Sequence, residues 1–366
     1  PVIEMVEIGA GGGSIASVDS LSRIHVGPES AGSEPGPACY DRGGILATVT
    51  DADATLGRID PDSFAGGTMR LSLEKAQESI DKAVGAPLKL STLDAAFGLS
   101  EIVEENMANA ARVHAVERGK DLDGRTLIAF GGAAPVHAAR LARTLGINRV
   151  LVPTAAGVGS AVGFLRAPVA YEVVRSLYTL LDEGFDPNAL NALYADLRKE
   201  AEDIVAAAAP GVELLETRTA DMRYRGQGHE ISFNLPSGPY DASTPDRFSE
   251  LFEAAYEASY ARRIPDVKIE ALNWTLRLAA RQEPPAPCPD APADAEPEAS
   301  SQRKLFDPDE GSMRDVPVFQ RGDLVPGAMI RGPAIISEDE TTTVVLGGFV
   351  AHINALSYIV MSKETT

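Results

Sequence analysis

The sequence predicts an α/β protein: an α/β domain over residues 1–180, an α+β module over 181–282, a linker over 283–300 and a β-rich module over 301–366. Three observations carry this reading. Residues 126–165 run apolar strand (TLIAF), Gly131-Gly132, helix opening at Pro135, apolar strand, small-residue helix, an order that packs helices on a sheet. Beyond residue 181 an alanine-rich helix is followed by strands with period-2 alternation, as in Leu272, Trp274, Leu276 and Leu278 against Asn273, Thr275 and Arg277. The last stretch is apolar and β-branched, with hairpin signals at Gly332-Pro333 and Gly347-Gly348.

In chain order, residues 1–7 read as a strand entering the glycine loop 8–15. A loop-rich stretch then reaches 48–53, because so much Gly and Pro marks irregular backbone with tight turns. Residues 72–84 form a short amphipathic helix. A longer one begins at Ser91 or Thr92, which can cap it, and runs to Arg118 with Gly119 as its stop. Its stripe of Leu93, Ala96, Phe97, Val103, Met107, Ala110 and His114 has buried-face spacing, which makes His114 a core histidine. The strand 126–130, the helix 136–145 ending at Gly146, the strand 149–152 and the helix 158–165 complete the α/β unit. Residues 186–209 and 248–262 read as helices, and 218–235 as two strands joined at 225–228. The Pro-, Ala- and acid-rich stretch 283–300 reads as a solvated linker.

Composition narrows the function. Thirty-three basic against fifty-three acidic residues give a net charge of −20, which repels phosphate backbones and anionic headgroups and argues against nucleic acid or membrane partners. A nucleotide stays possible, since glycine loops bind phosphate through backbone N–H groups. Two cysteines, Cys39 and Cys288, in unrelated settings do not make a disulfide framework, so a reducing cytoplasm is expected. A chain that opens on Pro1 in mid-strand is expected to begin earlier in nature.

Three segments together go beyond a generic α/β pattern: IGAGGGSIA at 8–16, VGPESAGSEPGPACY at 26–40 with TVTDAD at 48–53, and AFGGAAPVHA at 129–138. In this order and spacing the chain resembles the hydantoinase A/5-oxoprolinase family, which also contains subunits of ATP-dependent ketone carboxylases. DMRYRGQG at 221–228 and GPAII at 332–336 with Thr341, Thr342 and Thr343 extend the resemblance over essentially the whole chain. It implies an actin-like (Hsp70-like) ATPase half-domain, with ATP in a cleft and Mg for the nucleotide. It also implies a hydantoinase B-type partner subunit and a cyclic amide or ketone as small-molecule substrate. The family's two Asp-x-Gly-Gly-Thr phosphate hairpins are not in this sequence, so a missing N-terminal half is expected as a second partner. The functional expectation is the A-type subunit, or its C-terminal portion, of an ATP-dependent cyclic amidohydrolase. The alternatives are a subunit of an ATP-dependent ketone carboxylase and a non-catalytic scaffold for the B-type subunit.

The resemblance also assigns sites. Gly131 and Gly132 match the adenosine-binding turn, where a side chain would block a base or ribose; tight strand–helix packing would also select glycine. Gly11, Gly12, Gly13 and Ser14 would form a nest of N–H groups near a phosphate or the reacting oxygen, or merely a flexible turn. Cys39, Asp51 and His137, with Asp53 nearby, come from segments that the resemblance brings towards one cleft. Thiolate, carboxylate and imidazole suit zinc or a similar divalent metal. Burial of Cys39, turn capping by the carboxylates and a backbone-satisfying His137 are the alternatives. Asp19 either orients the glycine loop or caps it.

Overall fold

The computed structural model describes residues 5–182, 184–289 and 295–364. Residues 5–8 are irregular rather than extended, and residues 1–4 of the expected entry strand lie outside the described residues. The loop-rich stretch contains a hairpin that its glycines disguise, β1 (Ser14–Val18) antiparallel to β2 (Ile24–Ser30). Asp19 closes its turn, accepting hydrogen bonds from the N–H groups of Leu21 and Arg23 and from Arg23 Nε, with His25 Nε2 at 3.0 Å. Residues 48–53, expected as loop, begin a helix, α1 (Val49–Thr55), because Thr48 and Asp51 make a reciprocal capping box.

Ser72 caps α2 (Leu73–Ile80), which continues through a π-turn into α3 (Ala86–Leu88). The long helix is α4 (Thr92–Glu117), with the Ser91 hydroxyl accepting from the Asp94 N–H. Its fully buried positions include Ala96, Ser100, Glu104 and Ala108, so a stripe at every fourth residue carries two polar groups into the interior. His114, expected in the core, is only half-buried and lines a surface groove instead.

The β–α–β order stands in the structure. β3 (Thr126–Ile128) pairs in parallel with β4 (Arg149–Val152), and α5 (Ala134–Leu145) crosses between them, opened by Pro135 and stopped by Gly146 at φ +73°. α6 (Gly159–Arg166) follows.

Residues 166–286 form a compact unit of their own. It contains β5 (Ala170–Leu180), α7 (Pro187–Ala208), β6 (Leu214–Tyr224), β7 (Ile231–Leu235), α8 (Thr244–Tyr260) and β8 (Ile269–Ala280). The sheet is antiparallel throughout, in the order β5-β8-β6-β7. The unit therefore starts before residue 181, because β5 pairs along nearly the whole of β8. Its core is aromatic: Tyr194, Phe248 and Trp274 pack in tilted and edge-on pairs, and the indole N–H donates to Leu177 O.

The tail adds β9 (Ser301–Asp307), β10 (Ser312–Gln320), β11 (Met329–Arg331), β12 (Ala334–Ser337), β13 (Thr342–Val345), β14 (Phe349–Ile353) and β15 (Ile359–Lys363). It is not a module of its own. β15 pairs with β4, completing a five-stranded sheet β11-β14-β15-β4-β3 within the same compact unit as residues up to 165. The other tail sheet is β13-β12-β10-β9, with β10 and β12 parallel.

Neither glycine pair makes a hairpin. Gly332-Pro333 and Gly347-Gly348 carry the chain from one sheet to the other, and a Cβ on Gly332 would stand 1.9 Å from Leu346 O. The hairpins are instead β9–β10, β12–β13 and β14–β15. The linker is also shorter than expected: Ala295 bridges Ala328 and the Ser300 N–H donates to Val318 O, while residues 290–294 lie outside the described residues. Between the two tail sheets and α5 lies a core that includes Val150, Ala139, Ile335, Phe349 and Met361.

Candidate functional site

A cleft of about 640 Å³ opens within the unit that holds residues up to 165 and the tail. Its walls include the glycine loop through Gly12 and Gly13, α1 through Thr50 and Asp53, the loop after α1 through Asp60 and Phe64, the turn at Gly132, and the β12–β13 turn 338–341. Local chemistry fixes each wall. Thr50 gives both its N–H and its hydroxyl proton to Gly12 O, at 2.8 and 2.9 Å. A Cβ on Gly12 would meet Thr50 Oγ1 at 2.6 Å, and one on Gly13 would meet Ser30 Oγ at 2.8 Å, so close packing selects glycine at both positions. Ser14 turns inward, accepting from the Gly11 N–H and donating to Gly9 O.

Of the two glycines at the turn after β3, only Gly132 lines the cleft. Gly131 has φ +108°, a conformation that L side chains rarely adopt, with nothing near its missing side chain. Gly132 is a cleft residue whose Cβ would make only an ordinary 3.5 Å contact, with Glu340 O. Thr341 ties the two sides of this wall, donating its hydroxyl proton to Gly132 O at 2.7 Å.

Behind the cleft lies a network of charges inside the protein. Asp53, Arg58, Glu104 and His137 are 2, 6, 2 and 4% exposed, and of these Asp53 lines the cleft. Arg58 Nη1 donates to Asp53 Oδ1 and Glu104 Oε1, both at 3.1 Å, and to Ser100 Oγ at 2.6 Å. His137 spans the two carboxylates, with Nε2 3.2 Å from Asp53 Oδ2 and Nδ1 3.0 Å from Glu104 Oε1. Arg140 Nε stands 2.7 Å from Glu104 Oε2 as an ion pair without hydrogen-bond alignment, and Arg140 also pairs with Glu101.

Burial alone would strip the proton from His137. The Asp53 and Glu104 carboxylates outweigh burial and the repulsion of Arg58, and raise its pKa to about 9. Burial likewise opposes the charge on Asp53, but His137 and Arg58 overcome it and hold the carboxyl below its usual range. At neutral pH an imidazolium and a guanidinium thus stand beside an ionised Asp53.

The metal set is not assembled. Among the described residues no group of three His, Cys, Asp or Glu side chains is placed to hold a metal ion. Asp51 serves the backbone instead, accepting from the N–H groups of Ala38, Cys39 and Thr48 and from the Thr48 hydroxyl. Cys39 is fully buried, and burial beside Asp51 pushes its thiol far above the ordinary range, against the thiolate that a metal requires. His137 instead faces Asp53 and Glu104 with its two ring nitrogens, and Nδ1 also lies 3.4 Å from Arg58 Nη1.

Arg58 and Glu104 went unnoticed in the sequence. Glu104 had a readable signal, since a charge within the buried every-fourth-residue stripe of α4 needs a partner. Glu338, in the cleft wall, is a second such group: burial pushes its carboxyl up, opposed by Arg321, whose Nη1 lies 3.6 Å from Oε1.

Comparison with known proteins agrees with this architecture. The profile of hydantoinase/oxoprolinase matches residues 1–173, and that of the hydantoinase/oxoprolinase C-terminal domain matches residues 185–362. The caprolactamase subunit alpha of Pseudomonas jessenii is 34% identical over 355 residues, covering 95% of this chain and 51% of that protein. The acetophenone carboxylase gamma subunit of Aromatoleum aromaticum is 33% identical, covering 94% of this chain and 48% of its own length. The nucleotide-free structure of an acetone carboxylase superposes with a TM-score of 0.81 at 26% identity, over 97% of this chain and 52% of that one. The chain therefore spans about half the length of the relatives it matches. With both of the family's profiles matched in order along one chain whose α/β fold is that of a solved carboxylase, the protein belongs to the hydantoinase/oxoprolinase family.

Proposed function

We propose that this chain supplies the adenosine side of an actin-like ATP site in an ATP-dependent enzyme that opens cyclic amides, working with a B-type subunit. The observation that carries the proposal is the cleft: one wall is a Gly-Gly turn whose second glycine presents no side chain to it, and an ionised Asp53 lines it. The caprolactamase relative, at 34% identity, favours a cyclic amide as the substrate class.

The residues present fit part of ATP. Gly132 leaves room for a flat base or ribose, and the wall includes the acceptor groups Asp53, Asp60, Glu338 and Glu340 for hydroxyls. Among the described residues no Lys or Arg lines the cleft, so the phosphates need cations from outside it. With the Gly11 N–H already bonded to Ser14, the amides left in the loop for an anion are those of Gly12 and Gly13. When bound, ATP supplies a phosphoryl group that activates an amide or ketone oxygen.

The carboxylase relatives support a second reading in which the activated molecule is a ketone. One experiment separates them. Residues 1–366 alone should hydrolyse ATP no faster than background. Adding a polypeptide with the Gly-Gly-Thr phosphate hairpins and a B-type subunit should restore substrate-dependent hydrolysis. Lactam-dependent turnover without bicarbonate supports ring opening, and a bicarbonate requirement transfers the proposal to carboxylation. In the restored enzyme Gly132→Val should fold yet lose ATP binding, since Gly132 lines the cleft and its Cβ would meet only Glu340 O, at 3.5 Å. Normal ATP binding by the folded variant would reject the adenosine turn.

A further inference from the structure

We propose that Asp53 is the acceptor that the cleft presents to an O–H donor of its ligand, and that His137 is a positioning residue acting through Asp53. This rests on the nucleotide reading above and names the residues that the reading leaves undefined.

The geometry of the network argues for a fixed acceptor. Asp53 lines the cleft, yet each of its oxygens is gripped from behind, Oδ1 by Arg58 and Oδ2 by His137. A carboxylate held by two cationic donors cannot rotate freely, and each oxygen keeps lone-pair capacity beyond the partner that holds it. Glu104 is the brace of the arrangement. Its Oε1 lies 3.0 Å from His137 Nδ1, which sets the ring with Nε2 towards Asp53, and it accepts from Arg58 on Oε1 while Arg140 stands as an ion pair beside Oε2. Four segments contribute: α1 gives Asp53, the turn after it Arg58, α4 Ser100, Glu101 and Glu104, and α5 His137 and Arg140. Purely structural ion pairs would not need a carboxylate at a cavity wall, since burying one against two cations costs desolvation that apolar packing avoids.

The donor is a hydroxyl, as on a ribose, or a metal-bound water carried by a nucleotide; both are O–H groups. The direct test uses residues 1–366 with 15N-labelled histidine and glycine. Two predictions are read from one sample. At pH 7.5 the His137 ring should show two N–H nitrogens. Titration to millimolar adenosine, ATP or ATP with Mg should shift both the His137 Nε2 signal and the Gly132 amide. A His137 shift with adenosine alone identifies a hydroxyl as the donor, and one that appears only with Mg identifies the metal-bound water.

In Asp53→Asn the His137 response should vanish. In Glu104→Gln the ring should lose its second proton at least one pH unit lower than in the wild type. A singly protonated ring at pH 7.5 in the wild type overturns the positioning role, whatever the variants do. Gly132 shifting while His137 stays still overturns the acceptor role of Asp53 and leaves the nucleotide reading standing. No shift at either residue rejects the nucleotide reading, and the acceptor role with it.

Discussion

At the scale of single residues, the protein sorts its titratable groups by who stands behind them. His137 and Cys39 could both have been ligands by type, and their neighbours decide otherwise. His137 keeps a second proton because two carboxylates stabilise its charge, and Cys39 is denied ionisation by burial beside a third. The sign of the histidine effect is definite. Its folded pKa, about 9, lies above the ordinary 6.5, so its contribution to stability is complete below pH 6.5 and declines as pH rises towards 9. Chemical denaturation of the wild type should show a loss of a few kcal/mol between pH 6.5 and 9.5, and His137→Gln should flatten that slope; an unchanged slope would contradict the imidazolium. Cysteine chemistry gives an independent check. Iodoacetamide should label the exposed Cys288 in the native protein and reach Cys39 only in denaturant. Rapid native labelling at both would show that Cys39 is not enclosed.

At the scale of elements, short capped helices carry the site. α1 is only seven residues long and cannot persist on propensity. Its first turn depends on Asp51, which satisfies four donors from Ala38, Cys39 and Thr48. Asp51→Ala leaves those donors buried without partners, and should cost about 3 kcal/mol or more, beyond the ~1 kcal/mol of an ordinary cap. The readout is the urea midpoint, and a loss below about 1 kcal/mol would mean that water or other acceptors replace Asp51. The element was legible in principle, since Thr48 followed by Asp51 is a capping signature. A composition of Val, Thr, Asp and Ala has no apolar periodicity to accompany it. The same holds for β1 and β2, whose Gly, Ser and Pro content hides their extended backbone.

At the scale of the whole molecule, the chain leaves its first unit at residue 165 and returns at 287. The inserted stretch 166–286 has a complete sheet and an aromatic core, so it should fold when expressed alone, with one cooperative thermal transition. Residues 301–366 should not, because β15 (Ile359–Lys363) takes its partner from the distant strand β4 (Arg149–Val152) and Gly57 packs its backbone against Lys304 O. Limited proteolysis should begin in the exposed stretch 283–289 rather than at 295–300, where Ala295 and Ser300 are bonded into the body. First cuts within 8–53 would contradict this order of stability.

What was readable from the amino acids alone follows from range. Helix α4 with its Ser91 cap, α5 between Pro135 and Gly146, the apolar strands β3 and β4 and the alternation of β8 are written in spacings of two to four residues, which neighbours in the chain enforce. The family motifs are equally local, and so was the expectation of a cleft near Gly12 and Gly132. Which strand pairs with which is not local. That β5 belongs with β8, that β15 closes on β4, and that Gly332 and Gly347 switch sheets instead of turning hairpins depend on partners dozens to hundreds of residues away. The chemistry of the site lies on the same side of that divide. Asp53, Arg58, Glu104 and His137 are ordinary residues one at a time, and only packing them into one dry volume makes a bridging imidazolium out of a histidine that the sequence offered as a metal ligand.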